Sequence, residues 1–188
     1  MLVYVIRHGQ SENNLSRLWT GWYDTPLTDQ GRKDAQTAQE YLKNVSFDKV
    51  YSSDLSRAME TARIALPNVS FETTPLLREI NVGSLMMHPI SILSAEEMQY
   101  AELHGYAQYS GESKPQFQER IRQMMTRLET LDAHTVALFA HAGFLRNMMD
   151  IVLETHLPHQ HLRCNNCTIA IFDYTNGIWQ LHSWINLS

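Results

Sequence analysis

The sequence predicts an α/β fold: a three-layer α/β/α sandwich with a mainly parallel central sheet and an antiparallel edge. Three observations carry this. Strand-like and helix-like segments alternate along the chain, the pattern of a parallel sheet covered on both faces. Thr135 to Ala140 is an uninterrupted apolar run, as expected of a strand buried on both sides. The chain closes with two β-rich runs, Cys167 to Tyr174 and Ile178 to Ile185, joined by Thr175-Asn176-Gly177, which places a hairpin at one edge.

In chain order, Leu2 to Ile6 is a short β-rich run that leads straight into Arg7-His8. Thr28 opens a helical pattern with Ala35, Ala38, Tyr41 and Leu42 on one side. Asp48 to Tyr51 is a short strand candidate ending in Ser52-Ser53-Asp54, residue types that cap helices. Leu55 to Leu66 is helical and Pro67 stops it. Ser94 with Glu97 forms a capping box for a helix to about His104. Ser113 with Gln116, and Pro115 in the first turn, starts a longer helix carrying Phe117, Ile121, Met124, Met125, Leu128 and Leu131. After the strand at Thr135, a helix is expected from Phe144 to about Glu154.

At 188 residues and 21.7 kDa the chain suits one domain, expected over residues 1–188. The net charge of −5 argues against nucleic acid and against a polybasic membrane surface as partners. Of the 15 basic residues, 11 are Arg and 4 are Lys, so an anionic ligand stays in play, because the guanidinium fork matches phosphate and carboxylate. The N-terminus lacks the apolar core and cleavage site of a signal peptide, and no apolar stretch is long enough to span a bilayer. The 2 cysteines indicate no disulfide framework. A cytoplasmic protein is expected.

This layout puts Arg7-His8-Gly9, Ser52 to Arg57 and His141-Ala142-Gly143 each after a strand. In open α/β sheets ligands bind beyond the carboxyl ends of the strands. Two histidines and two arginines therefore converge on one crevice. Taken singly, each has a bland explanation: His8 as a hydrogen-bonded edge residue, Arg57 as a solvated charge, His141 and Glu79 as unremarkable polar residues. Arg57 also sits badly against the positive end of its helix, a conflict that an anion at the same terminus removes.

The combination is more specific. Arg7-His8-Gly9, Asn14, Thr20-Gly21-Trp22-Tyr23-Asp24, Pro26-Leu27-Thr28 with Gly31, and Ser52-Ser53-Asp54-Leu55-Ser56-Arg57-Ala58 with Thr61-Ala62 come first. Leu77-Arg78-Glu79, His141-Ala142-Gly143 and Asn166-Cys167-Thr168 follow. This ordered set, over nearly the whole chain, resembles the histidine phosphatase superfamily, the phosphoglycerate mutase-like family. The resemblance implies the phosphoglycerate mutase-like fold and a phosphohistidine mechanism. His8 would be the nucleophile, splitting one displacement into two easier ones. Arg7, Arg57, Asn14 and a protonated His141, with Ala142 beside it, would bind the phosphate and stabilise charge on its oxygens. The same cations would keep His8 unprotonated near neutral pH. Glu79 would give a proton to the leaving oxygen and then take one from water. That role needs a carboxyl that carries a proton at that moment, on its own account or because the substrate dianion binds beside it. Thr20 and Gly21 would touch substrate. No metal and no cofactor is required, since the arginines occupy the electrostatic role.

Other groupings are distractors. His156, His159, His161, Cys164 and Cys167 cluster, but their spacing matches no zinc finger. Cys164-Asn165-Asn166-Cys167 leads into a strand rather than opening a helix as redox motifs do, and reads as a polar loop before a half-buried strand cysteine. Met124-Met125 and Met148-Met149 read as core filler. Family phosphatases often carry Gly-x-Trp-Glu-Gly after the acid, where this chain has Gly83-Ser84-Leu85-Met86-Met87-His88. We expect this stretch to make the pocket mouth more apolar, so that Met86→Glu with Met87→Gly reorders substrate preference.

The expected activity is a metal-independent phosphomonoesterase acting on a small phosphorylated metabolite. The alternatives are a cofactor-dependent phosphoglycerate mutase and a non-catalytic phospholigand-binding module. Thr20 to Asp24 resembles the mutase substrate loop. Cofactor-dependent mutases, however, are longer and carry an Arg-rich insertion, whereas Ile80 to Ala140 holds only Arg120, Arg122 and Arg127, which read as solvated charges on a helix. The binding module is disfavoured because His8, Arg57, Glu79 and His141 are all present. Composition and motifs do not specify an oligomeric state.

Overall fold

The computed structural model describes residues 1–158 and 161–187. The strands are β1 (Leu2–Arg7), β2 (Lys49–Ser52), β3 (Glu72–Thr73), β4 (Thr135–Ala140), β5 (Ile169–Thr175) and β6 (Ile178–Ile185). Among the described residues they form one six-stranded sheet in the order β3-β2-β4-β1-β5-β6. β3, β2, β4 and β1 run parallel, while β5 and β6 are antiparallel and close one edge. This is the mainly parallel sheet with an antiparallel edge that the sequence predicts.

The helices are α1 (Glu12–Leu15), α2 (Asp29–Leu42), α3 (Ser56–Ala65), α4 (Ala95–His104), α5 (Lys114–Glu129) and α6 (Ala142–Val152). Side chains alternate across the strands, so each strand feeds two cores. Val3, Val5, Val136 and Leu138 pack with Phe117, Ile121, Met124 and Leu128 of α5 and Phe144 and Met148 of α6. Ile6, Ala137 and Phe139 pack on the other face with Ala38 and Leu42 of α2 and Ala62 and Ala65 of α3. A third, smaller cluster of Val82, Leu85 and Leu93, with Trp19, Met86 and Tyr106 against it, underlies the segment between β3 and α5. No helix among the described residues is long and apolar enough to cross a membrane.

Several local expectations need correction. Tyr41 is exposed, and Asp34 takes the buried face of α2 instead, accepting hydrogen bonds from Gln10 N at 3.2 Å and Gln30 Nε2 at 2.9 Å. The Ser52-Ser53-Asp54 run does not cap α3. Its N-cap is Leu55, which offers no side-chain acceptor, and the carboxylate of Asp24 accepts from Ser56 N at 2.8 Å. Helix α6 begins at Ala142, two residues before Phe144, and Cys167 precedes β5 in a left-handed turn at φ 55°. Helix α1 carries a capping box of Ser11 and Asn14, an unusual pairing that hides it from pattern reading.

Candidate active site

Because β1, β2 and β4 are parallel, their carboxyl ends lie on one edge of the sheet. Main-chain bonds carry that alignment into the loops: His8 N donates to Ala140 O at 3.0 Å and Ser53 N to Phe139 O at 2.8 Å. β5 runs the other way, so its start meets the same edge. Asn166 Nδ2 donates to His8 O at 3.1 Å and Cys167 N to the same oxygen at 3.3 Å. Gly9 and Gly31 let α2 close on this loop, since a Cβ on Gly9 would stand 2.2 Å from Gly31 O.

These loops enclose a cavity of about 210 Å³. Arg7, His8, Asn14, Thr20, Gly21, Arg57, Glu79 and Ala142 all line it, although they come from segments more than a hundred residues apart. His141 does not line it. It is fully buried behind His8, with ring centroids 5.1 Å apart.

The protonation state of His8 follows from its partners. Nδ1 lies 2.6 Å from Gly9 O, which can only accept, so Nδ1 carries the proton. Nε2 keeps its lone pair and faces Arg57 Nε at 3.3 Å. Burial, then the charges of Arg57 and Arg7, hold His8 well below the usual imidazole range, so it is neutral at neutral pH. Arg57 is 1% exposed rather than solvated, and burial lowers it to about 10, which leaves it cationic. It also donates to Gly21 O at 2.8 Å and Tyr23 O at 2.9 Å, tying the Thr20–Asp24 loop over the cavity. The anion expected at the α3 terminus is in part Asp24 itself. Arg7 donates through Nη1 to the Cys164 carbonyl, and its Nε is buried without a partner.

Glu79 is held by two main-chain amides: Oε1 accepts from Ile80 N at 2.9 Å and Oε2 from Gly143 N at 3.1 Å. Gly143 is tightly specified, because a Cβ there would lie 2.1 Å from Glu79 Oε1. Asn14 accepts at Oδ1 from Ser11 N and Asn166 Nδ2, which leaves its amide N–H groups for the cavity. His141 shares a 2.9 Å hydrogen bond between Nε2 and Ser53 Oγ, and its Nδ1 is buried and unpartnered. Burial, then the charges of Arg57 and other neighbours, push it well below the usual range. These causes favour the neutral ring, so the protonated His141 expected of phosphate binding needs the dianion itself to draw a proton to it.

Both cysteines are buried free thiols, and burial pushes both up, so neither is primed as a thiolate. Cys167 is fully buried rather than half-buried. Among the described residues no group of three or more His, Cys, Asp or Glu is placed to hold a metal ion. His159 of the sequence cluster lies outside those residues.

Sequence reasoning missed the rest of the wall. Leu18, Trp19, Ile80, Val82 and Tyr106 make it apolar, and Arg146 adds a third guanidinium whose Nε is buried and unpartnered. Arg146 stands one helical turn after Ala142, a spacing that could have found it. Trp19 and Tyr106 sit in irregular segments with no such signal. Met86 and Met87 do not line the cavity, contrary to expectation. Met86 packs, like Trp19, against the cluster of Val82, Leu85 and Leu93, while Met87 N donates to Trp19 O at 2.8 Å and Trp19 N to His88 O at 2.9 Å. Arg122 and Arg127 are solvated as expected, but Arg120 is half-buried against the Glu79 segment.

Comparison with known proteins places this geometry. A model of the histidine phosphatase superfamily (branch 1) matches residues 3–187. The probable phosphoglycerate mutase GpmB of Proteus mirabilis is 31% identical over 194 residues, covering 97% of this chain and 89% of that protein. The alpha-ribazole phosphatase of Shigella flexneri superposes with a TM-score of 0.85 at 26% identity, over 100% of this chain and 98% of that one. The phosphoglycerate mutase of Bacillus anthracis superposes with a TM-score of 0.86 at 23% identity, over 97% and 92%, a likeness of fold. With residues 3–187 matched by that model, the chain belongs to branch 1 of the histidine phosphatase superfamily.

Proposed function

We propose that this protein is a phosphomonoesterase that moves the phosphoryl group of a small phosphorylated metabolite to His8 and then to water. The observation that carries this is the state of His8: Nδ1–H pinned to Gly9 O, Nε2 unprotonated, and the buried Arg57 and half-buried Arg7 beside it. In this reading the Nε2 lone pair attacks phosphorus in line while the bond to the leaving oxygen breaks, and Glu79 protonates that oxygen. Arg7, Arg57, the Asn14 amide and the Ala142 N–H at the start of α6 bind the phosphoryl oxygens. Water then attacks phosphohistidine, its proton passes to Glu79, and phosphate leaves with His8 restored.

The test is to trap the intermediate. Mixing the enzyme with a labelled phosphomonoester and quenching should leave label that survives alkali, is lost in acid, and is absent from His8→Ala. Turnover of p-nitrophenyl phosphate should continue in chelator. Turnover that a chelator abolishes, or that proceeds without labelled protein, contradicts the reading.

A mutase reading has two observations behind it: the name of the Proteus mirabilis relative and Arg146, a donor for a second anionic group. Supplying 3-phosphoglycerate with 2,3-bisphosphoglycerate and measuring 2-phosphoglycerate against free phosphate decides between them; we expect phosphate. The substrate panel should include the phosphate ester of alpha-ribazole. Arg146→Met should raise KM for carboxylate-bearing phosphates by roughly tenfold or more, the worth of one charge-assisted hydrogen bond, and leave phenyl phosphate nearly unchanged. Equal changes for both would remove Arg146 from substrate recognition.

A further inference from the structure

We propose that Arg120 and Trp22 are positioning residues for Glu79: they grip its main-chain carbonyl and so aim its carboxyl at the leaving oxygen. The inference rests on the reading of Glu79 as general acid given above. Glu79 lies in irregular chain between two 3-10 turns, Pro75–Leu77 and Gly83–Leu85, where no helix or sheet ladder fixes it. Its carbonyl accepts instead from Trp22 Nε1 at 2.7 Å and from Arg120 Nη2 at 3.0 Å.

The grip extends to both sides. Arg120 Nη1 donates to Arg78 O at 2.8 Å and Leu76 O at 3.0 Å. Glu112 orients the guanidinium through Nε and Nη2 at 2.9 and 2.8 Å, and its Oε2 also accepts from Asn81 N at 2.7 Å. The Trp22 ring lies under the guanidinium of Arg78 at 4.9 Å and near that of Arg120 at 5.9 Å, while Arg78 is clamped by Asp54 at 2.6 and 2.7 Å. One carboxyl oxygen of Glu79 is bonded to the next residue's own amide, so the carboxyl goes where this backbone goes. Trp22 also belongs to the loop that Arg57 holds at Gly21 and Tyr23, which connects the placement of the acid to the phosphate-side arginine. A displacement of about 1 Å at a reacting group can cost on the order of a hundredfold.

A group that only stabilises the fold would slow all substrates alike, whereas one that aims an acid matters most where the leaving group needs a proton. The readout is therefore kcat/KM, which ends at leaving-group departure, for glycerol phosphate and p-nitrophenyl phosphate. Trp22→Phe keeps the ring and removes the donor. We expect it to lose roughly tenfold on glycerol phosphate and under about twofold on the nitrophenyl ester, with Arg120→Met losing roughly a hundredfold on the former. In a Glu79→Gln background neither change should cost more. Equal losses on both substrates, or losses that multiply with Glu79→Gln, overturn the proposal, and Trp22→Phe carries the test if Arg120→Met fails to fold. If Glu79→Gln shows the leaving-group dependence and Trp22→Phe does not, only this inference falls. If Glu79→Gln itself slows both substrates alike, the reading of Glu79 falls with it.

Discussion

Arg57→Ala is expected to lower kcat/KM by at least about a thousandfold and to move the acid limb of the pH profile upward. Removing a single preorganised donor from a charge-stabilising site costs on the order of a hundred- to a thousandfold. Arg57 supplies more than one function: it lines the cavity, faces His8 Nε2, and holds Gly21 O and Tyr23 O. Arg57→Lys keeps the charge but gathers its three donors on one nitrogen, whereas Arg57 reaches its three acceptors from three nitrogens of a planar fork, so it should recover only part of the loss. The pH effect has a definite sign. After burial, the charge of Arg57 is the largest cause holding His8 below its ordinary value. Without it, His8 rises part of the way toward its ordinary value, burial and Arg7 still holding it down, and the acid limb, which requires neutral His8, shifts to higher pH. Stability follows the same linkage. His8 and His141 are both held down in the folded protein, so the unfolded chain binds more protons once pH falls below about 6.5. Stability present above that pH is lost on acidification, and the His8 share of that loss should shrink in Arg57→Ala. A variant within tenfold of the parent, or an acid limb that moves down, would sink this account.

What the sequence made legible, and what it hid, divides along one physical line. β4 was readable as an unbroken apolar run and α5 as a helical apolar period: Val136 to Ala140, and Phe117, Ile121, Met124, Met125 and Leu128, are buried where those patterns put them. The convergence of His8 and Arg57 was readable because strand ends on one edge of a parallel sheet leave little choice of place, whereas Glu79 was legible only through its motif. Arg57 was legible as a site residue, but its depth was not, since its burial depends on carbonyls of a loop more than thirty residues upstream. Arg120 was misjudged as a solvated charge for the same reason; a helix period assigns it a face, but only the folded chain brings the carbonyls of Leu76, Arg78 and Glu79 to it. The α3 cap went to Asp24, which no local window contains. The apolar pocket mouth was assigned to Met86 and Met87, whereas Trp19 and its neighbours form the wall and Met87 holds the Trp19 backbone.

Gly143→Ala should disable the acid while sparing the fold. The added Cβ would stand 2.1 Å from Glu79 Oε1 and 3.0 Å from its Cδ, inside any tolerable contact. The obstructing atoms are the tip of a flexible side chain, so the conflict resolves by rotation of Glu79 rather than by movement of α6. Gly143 sits in the first turn of α6, where alanine is the better helix former by about 1 kcal/mol. The melting temperature is therefore expected to hold or rise. The displaced carboxyl gives up its bond to Gly143 N and its aim, and general acid catalysis contributes roughly a hundred- to ten-thousandfold. We expect kcat/KM for alkyl phosphates to fall about a hundredfold or more, with a much smaller loss for p-nitrophenyl phosphate. Shortening the acid relieves the clash, so Glu79→Asp should cost less in the Gly143→Ala background than in the parent. A Gly143→Ala protein with full activity on alkyl phosphates would mean that the carboxyl need not sit where Gly143 lets it. A protein equally slow on both esters would point to damage at His8 or the phosphate site, because only loss of the proton donor separates the two leaving groups.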